Sequence, residues 1–416
     1  MKSQFFFLET TIFFLKLRNF FLKIIYKYFF KSIFFLFDPE KIHDYITNRL
    51  IFLGKYSFTK KITNILLGYN RVMLKKYLGQ KIKNITFDNP IGLSAGFDKN
   101  ALLTSITPNL SFGFEEVGSI TGEKCEGNPK PRLYRLKKSK SIIVYYGLKN
   151  DGCEVISERL KKIVEENKKK YNKEFEIPIG ISIARTNSVE TIETKRGIED
   201  YFKAYKYFVK YNNIGSYITI NLSCPNTCGG EPFNTAEKLD LLLKKIFSIK
   251  KIKPIFLKLS PETTFKELDK ILKVIEKYEF QGGIEGFIIS NLIKDRTKVK
   301  NKILEDKNKI LQVGGLSGKI VEEKSNDLIA YTYYKTRGKY VIIGVGGIFS
   351  GKDAFKKILL GSSLLQLITG MIFEGPQLIS EINLYLYDKI KKYNKNNISE
   401  FVGLKSEEYL KNKNLI

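Results

Sequence analysis

The chain has 416 residues, of which 43% are hydrophobic and 27% are charged, and its formal net charge is +28. This length is sufficient for one large domain with an appendage. The single histidine, His43, excludes histidine-based catalytic triads and multi-histidine metal sites, so we predict that the protein holds no metal.

The positive charge is spread along the whole chain, often on lysines beside asparagine, isoleucine or phenylalanine, which indicates a compositional bias. We find no arginine-rich strip with interleaved aromatic residues and no zinc or helix-turn-helix signature, so we expect no nucleic-acid partner. The cysteines form no C-x-x-C pair, which favours a reducing compartment; they are Cys125, Cys153, Cys224 and Cys228.

Residues 1–36 are rich in phenylalanine, isoleucine and leucine, but no uncharged run approaches the ~18 residues that a membrane-spanning helix needs. The spacing of Lys16, Lys23, Lys27 and Lys31 puts them on one helical face. A basic stripe opposite an aromatic face predicts a helix lying in a membrane interface or a mitochondrial import sequence. Two alternatives stay open: an amphipathic helix packed on the body, and a tilted span whose lysines reach the interface.

Eight short apolar runs follow in the body of the chain, most of them ending in small or polar residues. We predict that each is a strand: 91–96, 114–119, 179–183, 217–221, 255–259, 286–291, 340–347 and 364–369. Most of them are separated by lysine- and glutamate-rich stretches with helical periodicity, including 156–167, 235–250, 265–278 and 354–360.

Strands that alternate with helices predict an α/β fold, and eight of them predict a closed (β/α)8 TIM barrel. A doubly wound open sheet is the alternative, but the strand number and the polar strand tips favour the barrel. In a (β/α)8 barrel the carboxyl ends of the strands meet at one active-site mouth. We expect these residues to face it: Asn221, Cys224, Lys258, Ser290, Asn291, Gly346, Gly347 and Thr369.

The fourth predicted strand leads into Asn221, Cys224 and Asn226, within the run 218–227. Carboxamides both donate and accept hydrogen bonds, so they suit a planar ligand with alternating carbonyl and N–H groups. A thiol beside them can act as a nucleophile or a proton acceptor. The alternative is a structural Cys224, buried before a Pro-Asn turn.

The segment 294–309, after the sixth predicted strand, is dense in lysine and other charged residues. We predict a solvated loop here, with a lid over the site as the alternative.

Two glycine-rich runs indicate a phosphate-binding end of the barrel. Residues 314–318 precede a predicted helix, and residues 344–347 end the seventh strand. Glycine lets backbone N–H groups approach a phosphate closely, and barrels often bind phosphate near strands seven and eight. Lys258, at the tip of a buried strand, needs an anionic or carbonyl partner. A flavin, with its phosphate and its ring system, would fit both features.

Several motifs then occur together in a specific order and spacing. They include Ala-Gly-Phe-Asp-Lys-Asn at 95–100, Glu-Gly-Asn-Pro-Lys-Pro-Arg at 126–132 and Asn-Leu-Ser-Cys-Pro-Asn-Thr at 221–227. With Phe-Asp-Pro-Glu-Lys-Ile-His at 37–43, the matching segments extend over nearly the whole chain. On these motifs the chain resembles a class 2, membrane-associated dihydroorotate dehydrogenase.

The resemblance implies an FMN-containing barrel that oxidises dihydroorotate to orotate in pyrimidine biosynthesis and passes electrons to ubiquinone. It also implies a location at the mitochondrial inner membrane, with the membrane surface contacted through the N-terminal segment; we expect a monomer. By position, His43 and Arg135 match residues of the quinone tunnel. We therefore divide the chain into an anchoring or targeting segment (1–36), a helical tunnel domain (37–75), the FMN-binding barrel (76–395) and a tail (396–416).

The same resemblance assigns roles to individual positions. Cys224 matches the catalytic base, and Lys258 can stabilise negative charge on the reduced flavin. The substrate-binding positions are Lys99, Asn221, Asn226 and Asn291. The FMN-binding positions are Ala95, Gly96, Lys99, Ser119, Asn221, Lys258, Ser290, Gly315, Gly318, Gly346, Gly347, Thr369 and Gly370.

Four positions depart from the class 2 pattern. Cys224 stands where class 2 members have serine, and because a thiol is more acidic than a hydroxyl we predict that it still acts as the base. Val144 stands where the family has a substrate-binding asparagine, a loss worth about 1–3 kcal/mol that Lys149 or Asn150 could offset. Leu292 replaces a threonine, and Ile368 replaces a tyrosine.

These departures keep two other functions open. Cys224 is typical of the soluble class 1 enzymes and favours a related FMN barrel that acts on another pyrimidine or uses a soluble acceptor such as fumarate. Val144 and Leu292 favour a degenerate flavoprotein of low activity. The Phe-rich N-terminus and the 37–43 motif favour the quinone-linked enzyme.

Overall fold

Eight parallel strands close into a barrel in the computed structural model, which describes residues 2–211, 213–224, 226–230, 232–306 and 310–416. Pro225 of the 218–227 run and residues 307–309 of the charged segment lie outside the described residues. The described strands are β1 (Gln80–Ile82), β2 (Ile85–Phe87), β3 (Ile91–Leu93), β4 (Phe114–Ile120), β5 (Leu133–Leu136), β6 (Ser141–Val144), β7 (Ile179–Ile183), β8 (Tyr217–Asn221), β9 (Ile255–Leu259), β10 (Gly286–Ile289), β11 (Gly315–Gly318), β12 (Val341–Val345) and β13 (Leu364–Leu367). Around the barrel the order is β10-β12-β13-β3-β4-β7-β8-β9.

All eight predicted strands belong to this barrel, so the predicted TIM barrel is confirmed and the open sheet is excluded. Strands β7, β8 and β9 have the predicted bounds, and every residue in them is buried. Barrel strands are enclosed on both faces and therefore read as short continuous apolar runs. Strands β3, β10, β12 and β13 end earlier than predicted, because the last residues of these runs belong to loops at the barrel mouth or, for Thr369, to α12.

Helices surround the barrel and also precede it in the chain. The described helices are α1 (Lys2–Ile25), α2 (Lys31–Phe34), α3 (Pro39–Lys55), α4 (Ser57–Leu67), α5 (Arg71–Leu78), α6 (Cys153–Tyr171), α7 (Thr194–Lys210), α8 (Ala236–Ile246), α9 (Phe265–Glu276), α10 (Glu322–Thr336), α11 (Gly351–Leu359), α12 (Thr369–Glu374), α13 (Leu378–Lys392) and α14 (Ser406–Asn412). The four helical stretches predicted from periodicity overlap with α6, α8, α9 and α11. A π-helical turn, Tyr26–Phe30, joins α1 to α2.

A three-stranded antiparallel sheet lies beside the barrel mouth, in the order β11-β6-β5. The sequence did not reveal this sheet: the glycine run at 314–318 was predicted only as part of a phosphate-binding end, but most of it forms β11. In the register of the sheet Gly315 lies opposite Val144, and Gly318 lies opposite Ser141. The sheet thereby brings residues from two distant parts of the chain to the mouth of the barrel.

The described part of the charged segment after β10, residues 294–306, is mostly exposed, as predicted for a solvated loop. Two of its apolar residues nevertheless anchor it on this sheet, and part of it forms a 3-10 helix, Arg296–Lys302. Val299 and Ile303 are buried in a cluster with Leu136, Ile143 and Leu316. Glu305 accepts hydrogen bonds from the backbone N–H of Lys138 at 2.7 Å and of Ser139 at 3.0 Å. The sequence pattern concealed these contacts because only two apolar residues among many lysines carry the packing.

Helix α1 packs along α13 of the barrel layer through polar contacts. Lys16 forms an ion pair with Asp388 at 2.8 Å, and Lys23 forms one with Glu381 at 3.2 Å. Between them the buried Asn19 donates to Ser380 Oγ at 3.0 Å. Two residues of the predicted basic stripe therefore face the protein body, which agrees with the alternative of an amphipathic helix packed on the body.

The opposite side of the N-terminal helices presents aromatic and aliphatic side chains to solvent. The exposed residues include Phe13, Phe14, Phe20, Phe21, Tyr28, Phe29, Phe52 and Phe58. Among the described residues, no helix combines the length and the apolar character that crossing a membrane requires.

Candidate active site

A cavity of about 1340 Å³, measured to its open mouth, lies at the carboxyl ends of the barrel strands. Most residues predicted for the site line this one cavity: His43, Ala95, Gly96, Lys99, Ser119, Asn221, Cys224, Asn226, Lys258, Ser290, Asn291, Gly318, Gly346, Gly347, Thr369 and Gly370.

Two predicted residues are not among the described residues that line the cavity. Gly315 is buried within β11, where it pairs with Val144. Arg135 places its guanidinium over the ring of Phe35, 4.7 Å from the centroid, and donates to the backbone oxygen of Phe37 at 2.9 Å. Arg135 thus fastens the segment after α2 to the sheet rather than facing the cavity.

A hydrogen-bonded network fixes the carboxamides at the tips of β8 and β10. Asn221 donates through Nδ2 to Ser119 Oγ at 2.8 Å, and Ser119 Oγ lies 2.7 Å from Ser182 Oγ. Asn291 donates through Nδ2 to Asn221 Oδ1 at 3.2 Å and to the backbone oxygen of Ser223 at 2.6 Å. Because each amide has defined partners on the protein side, its remaining hydrogen-bonding positions are held toward the cavity.

Cys224 lies in the loop that follows β8, half-buried and in the cavity lining. Its backbone oxygen accepts a hydrogen bond from Thr227 Oγ1 at 3.3 Å, which closes a turn after the thiol. The cysteine is near enough to Lys258 for its charge to raise the pKa of the lysine. The structure therefore places the thiol and the buried ammonium group in the same part of the cavity.

The two lysines of the cavity are both affected by burial. Burial lowers the pKa of Lys258, while Glu116 and Cys224 raise it. Burial also lowers the pKa of Lys99, to about 8, against smaller opposing effects of Asp44 and Glu40. The Lys99 ammonium lies over the ring of Tyr146, 3.9 Å from its centroid, so the aromatic face replaces part of its hydration.

The glycine-rich end of the cavity is formed by β11, the loop after β12 and the start of α12. Gly346 and Gly347 have positive φ angles of 102° and 74°, which glycine adopts without strain. Thr369 begins α12, and its hydroxyl lies 2.9 Å from that of Ser317 on β11. Backbone N–H groups and hydroxyls converge here from three directions, as a phosphate group requires.

Two further features leave space and an unused polar group inside the cavity. A Cβ atom built on Gly96 would contact only Ile368 Cδ1, at 3.9 Å, so the space over this glycine is open. Ser290 is only 2% exposed, and its hydroxyl has no hydrogen-bond partner within the described parts of the chain. A buried hydroxyl without a partner is costly, so this one calls for a ligand.

One wall of the cavity is apolar and leads toward α2. It is formed by Leu133, Ile142, Val144, Phe349 and Ile372. Behind it, Phe35 packs edge-on against Phe373 with ring centroids 5.4 Å apart. This wall connects the cavity with the N-terminal helices that carry the exposed aromatic residues.

His43 of α3 lies at the edge of the apolar wall. Its ring packs edge-on against Phe97 at 5.1 Å, and its Nε2 is 3.1 Å from the backbone oxygen of Phe97. A carbonyl only accepts, so Nε2 can take part in this contact only as a donor. Burial, aided by the positive charge of Lys99, lowers the pKa of His43 to about 4. The imidazole is therefore neutral near pH 7.

The departures from the family pattern also lie in the cavity, at Val144, Leu292 and Ile368. Val144 adds an apolar side chain, while its backbone oxygen accepts from Asn226 Nδ2 at 2.8 Å. Of the two residues expected to compensate, Lys149 lines the cavity. Asn150 is buried elsewhere and bonds Thr121 at 2.7 Å, so that part of the expectation is wrong.

Several residues of the site were not found from the sequence. Tyr146 lines the cavity but lies outside the predicted runs. Ser223 accepts from the Asn291 amide, and Ser182 bonds Ser119, which in turn accepts from the Asn221 amide. The alternation of β7 could have indicated Ser182, because it is a polar residue inside a buried strand. No local signal distinguishes Tyr146, whose position depends on the three-stranded sheet.

Comparison with known proteins agrees with this geometry. The family model described as dihydroorotate dehydrogenase matches residues 77–390. The dihydroorotate dehydrogenase (quinone) of Crocosphaera subtropica is 35% identical over 372 residues, which cover 88% of this chain and 94% of the relative. That of Christiangramia forsetii is 35% identical over 369 residues, covering 88% and 99%. The crystal structure of the ligand-free enzyme from Eimeria tenella superposes with a TM-score of 0.72 at 28% identity, covering 88% of this chain and 99% of that one.

Proposed function

The chain belongs to the dihydroorotate dehydrogenase family, and on that basis we propose that it oxidises dihydroorotate to orotate with FMN as cofactor and a quinone as electron acceptor. This reaction is a step of pyrimidine biosynthesis. The observation that carries the proposal is that one cavity is lined by the residues assigned to cofactor, substrate and proton transfer by separate sequence motifs, with Gly315 as the exception.

The residues present fit FMN. The converging N–H and hydroxyl groups around Gly347 and Thr369 suit its phosphate. The open space over Gly96 suits a flat ring system, and the unpartnered hydroxyl of Ser290 suits a polar ring edge. Lys258 supplies a buried positive charge that stabilises negative charge on the reduced ring. When bound, FMN accepts the hydride that leaves C6 of the substrate.

The substrate is held by carboxamides and a lysine. Dihydroorotate carries ring N–H and carbonyl groups, which pair with Asn221, Asn226 and Asn291. Its carboxylate pairs with the ammonium of Lys99. Because Asn221 and Asn291 are fixed by bonds to Ser119 and Ser223, they bind the ring without first losing conformational freedom.

Cys224 removes the proton from C5 of the substrate. The thiol stands in the cavity beside the carboxamides, and its intrinsic acidity makes a thiolate accessible near neutral pH. Lys258 is near enough to favour the negative charge of that thiolate. The thiol thus takes the role that serine has in most class 2 relatives.

The acceptor side of the reaction uses the apolar wall. Leu133, Ile142 and Phe349 form a surface suited to the apolar tail and ring of a quinone. His43, neutral near pH 7, offers an uncharged polar edge at the end of this wall. Arg135 contributes from outside the cavity by fixing the segment after α2.

The N-terminal helices bring this wall to a membrane surface. Their exposed aromatic side chains suit insertion into the interface of a bilayer, where a quinone is available. Residues 1–36 form the membrane-facing segment, residues 37–75 the tunnel domain, residues 76–395 the barrel and residues 396–416 the tail. A monomer is sufficient for this arrangement. The location at the mitochondrial inner membrane stays a prediction, because the curated relatives compared above are bacterial.

The test is anaerobic mixing of the FMN-loaded protein with dihydroorotate, followed by flavin absorbance. We expect bleaching with formation of orotate, and then reoxidation by a short-chain ubiquinone but not by fumarate. The variant Cys224→Ala should keep its FMN and bleach at least about 100-fold more slowly, because general-base catalysis contributes roughly 10²–10⁴-fold.

Each step of this test has an outcome that would contradict the proposed function. A flavin that dihydroorotate does not bleach excludes the proposed reaction. Reoxidation by fumarate alone excludes the quinone acceptor. If Cys224→Ala bleaches at the parent rate, the thiol is not the base, whereas Cys224→Ser is expected to retain part of the rate with a pH profile moved to higher pH.

A further inference from the structure

Charge is rare inside this barrel. The eight barrel strands lie wholly within the described residues, and their ionisable side chains are Glu115, Glu116, Tyr217 and Lys258. Glu115 points away from the barrel interior, toward Asp98, and burial together with Asp98 raises its pKa. Glu116 is the next residue on β4, so it points inward. The interior therefore contains one carboxylate and one ammonium group.

The two oxygens of Glu116 have different surroundings. Oε2 accepts hydrogen bonds from Thr219 Oγ1 at 3.0 Å, Gln366 Nε2 at 3.1 Å and Tyr217 OH at 3.3 Å. Oε1 has no hydrogen-bond donor in the described part of the chain, and it lies 3.8 Å from Lys258 Nζ. The carboxylate is thus held by one oxygen and presents the other to the lysine.

This arrangement gives the Lys258 ammonium a carboxylate oxygen at 3.8 Å inside the barrel. Both side chains are almost fully buried, at 0% exposure for Glu116 and 5% for Lys258, and a buried charge without a counter-ion is costly. Each of the two residues is the counter-ion that the other needs.

The carboxylate lies below the floor of the cavity rather than in it. Lys258 is among the described residues that line the cavity. Glu116 and its partners Tyr217, Thr219 and Gln366 are not among them. Glu116 therefore has no route to a ligand except through Lys258.

We propose that Glu116 is a positioning residue that favours the protonated form of Lys258 against the effect of burial, so that FMN, when bound, would have a positive charge beside it. The inference rests on the proposed function, because it takes FMN to lie over Lys258. It assigns a role in tuning the cofactor to a residue that touches neither cofactor nor substrate.

The sign of the pH effect follows from the groups around the lysine. The ionisable groups that face it are Glu116 from β4 and Cys224 from the loop after β8, with Tyr217 of β8 bonded to the far oxygen of Glu116. The neighbouring strand β10, and β12 and β13 beyond it, contain no ionisable residue in their described sequences. Without the charge of Glu116, burial dominates and the lysine loses its proton at lower pH.

The test compares Glu116→Gln with the matched control Glu115→Gln, which removes a buried carboxyl from the same strand but from its other face. The reduction potential of bound FMN is measured between pH 6 and pH 9. We expect the potential of Glu116→Gln to fall more steeply with pH from a point about one pH unit or more below the point at which the parent curve steepens, because an opposite charge within ~4–6 Å shifts a pKa by about 1–3 units. Glu115→Gln should follow the parent curve.

The outcomes separate the inference from the proposed function. If the parent binds FMN and is bleached by dihydroorotate, but Glu116→Gln has the parent pH curve, the inference is overturned and the function stands. If the parent takes up no FMN, the proposed function fails and the inference with it.

A second measurement needs no cofactor and still tests the pairing if the Glu116→Gln variant folds poorly. Urea unfolding of the FMN-free protein is compared for Glu116→Gln, Lys258→Met and the double variant. We expect the double variant to lose less unfolding free energy than the two single variants lose together, because it leaves no unpaired buried charge. Additive effects, or a double variant that folds no better than the worse single one, overturn the pairing.

Discussion

At the scale of single residues, the site depends on charges whose state is set by burial. Burial lowers the pKa of Lys99 to about 8 and that of His43 to about 4, so near pH 7 the lysine is charged and the histidine is neutral. The first suits an anionic substrate and the second suits an uncharged quinone. Val144 extends the apolar wall of the cavity, and its backbone oxygen accepts a hydrogen bond from Asn226.

The pKa of Lys99 predicts how orotate binding changes with pH. Above pH 8 the lysine increasingly loses its proton, and an anion must then bind together with a proton. We expect the affinity for orotate to be nearly constant from pH 6 to pH 7.5 and then to fall, by about tenfold per pH unit at most. Titration of the FMN-loaded protein with orotate, followed by the flavin spectrum, measures this.

The matched control is Lys99→Arg, because arginine keeps its charge throughout this range. If the lysine is responsible, the control shows a flatter curve, and any decline that persists belongs to another group such as Cys224. An affinity in the parent that does not change up to pH 9 would contradict the role of Lys99.

At the scale of elements, α1 has two faces with different tasks. One face packs on α13, where Lys16 pairs with Asp388, Asn19 with Ser380 and Lys23 with Glu381. The other face carries the exposed phenylalanines. A helix built in this way belongs to the folded body and at the same time offers an apolar surface, so its docking and its proposed membrane contact can be tested separately.

Substitutions on the two faces of α1 should have different effects on the free energy of unfolding. Asn19→Leu removes a buried amide from Ser380 and Arg18, and we expect it to lower the free energy of unfolding by about 1–3 kcal/mol. Phe14→Ser changes a side chain that is 62% exposed, so its effect on unfolding should stay within about 0.5 kcal/mol.

Vesicle sedimentation completes this comparison. Phe14→Ser should bind less well to vesicles that contain anionic lipid, because an inserted phenylalanine contributes roughly 1.5–3 kcal/mol. Equal binding of Phe14→Ser and the parent would contradict the membrane-facing role. Unchanged urea unfolding of Asn19→Leu would contradict the docked helix.

At the scale of the whole molecule, the barrel was predictable because its strands are short apolar runs enclosed on both faces. The site was largely predictable because its residues lie at strand ends, as Asn221 ends β8 and Ser290 follows β10. The three-stranded sheet was not, because β5, β6 and β11 are only four residues each and their pairing joins distant segments. For the same reason the sequence did not indicate that Gly315 and Arg135 lie outside the cavity lining, and the partner of the lysine stripe on α1 could not be read from the sequence.

The central claim is that the thiol of Cys224 and the carboxamides of Asn221, Asn226 and Asn291 surround one substrate ring beside FMN. A crystal structure of the protein with FMN and orotate tests it most directly. We expect orotate to lie between the flavin ring and Cys224 Sγ, with Ser290 and Lys258 contacting the flavin. Orotate bound elsewhere, or a Cys224 thiol out of contact with the orotate ring, would contradict the account.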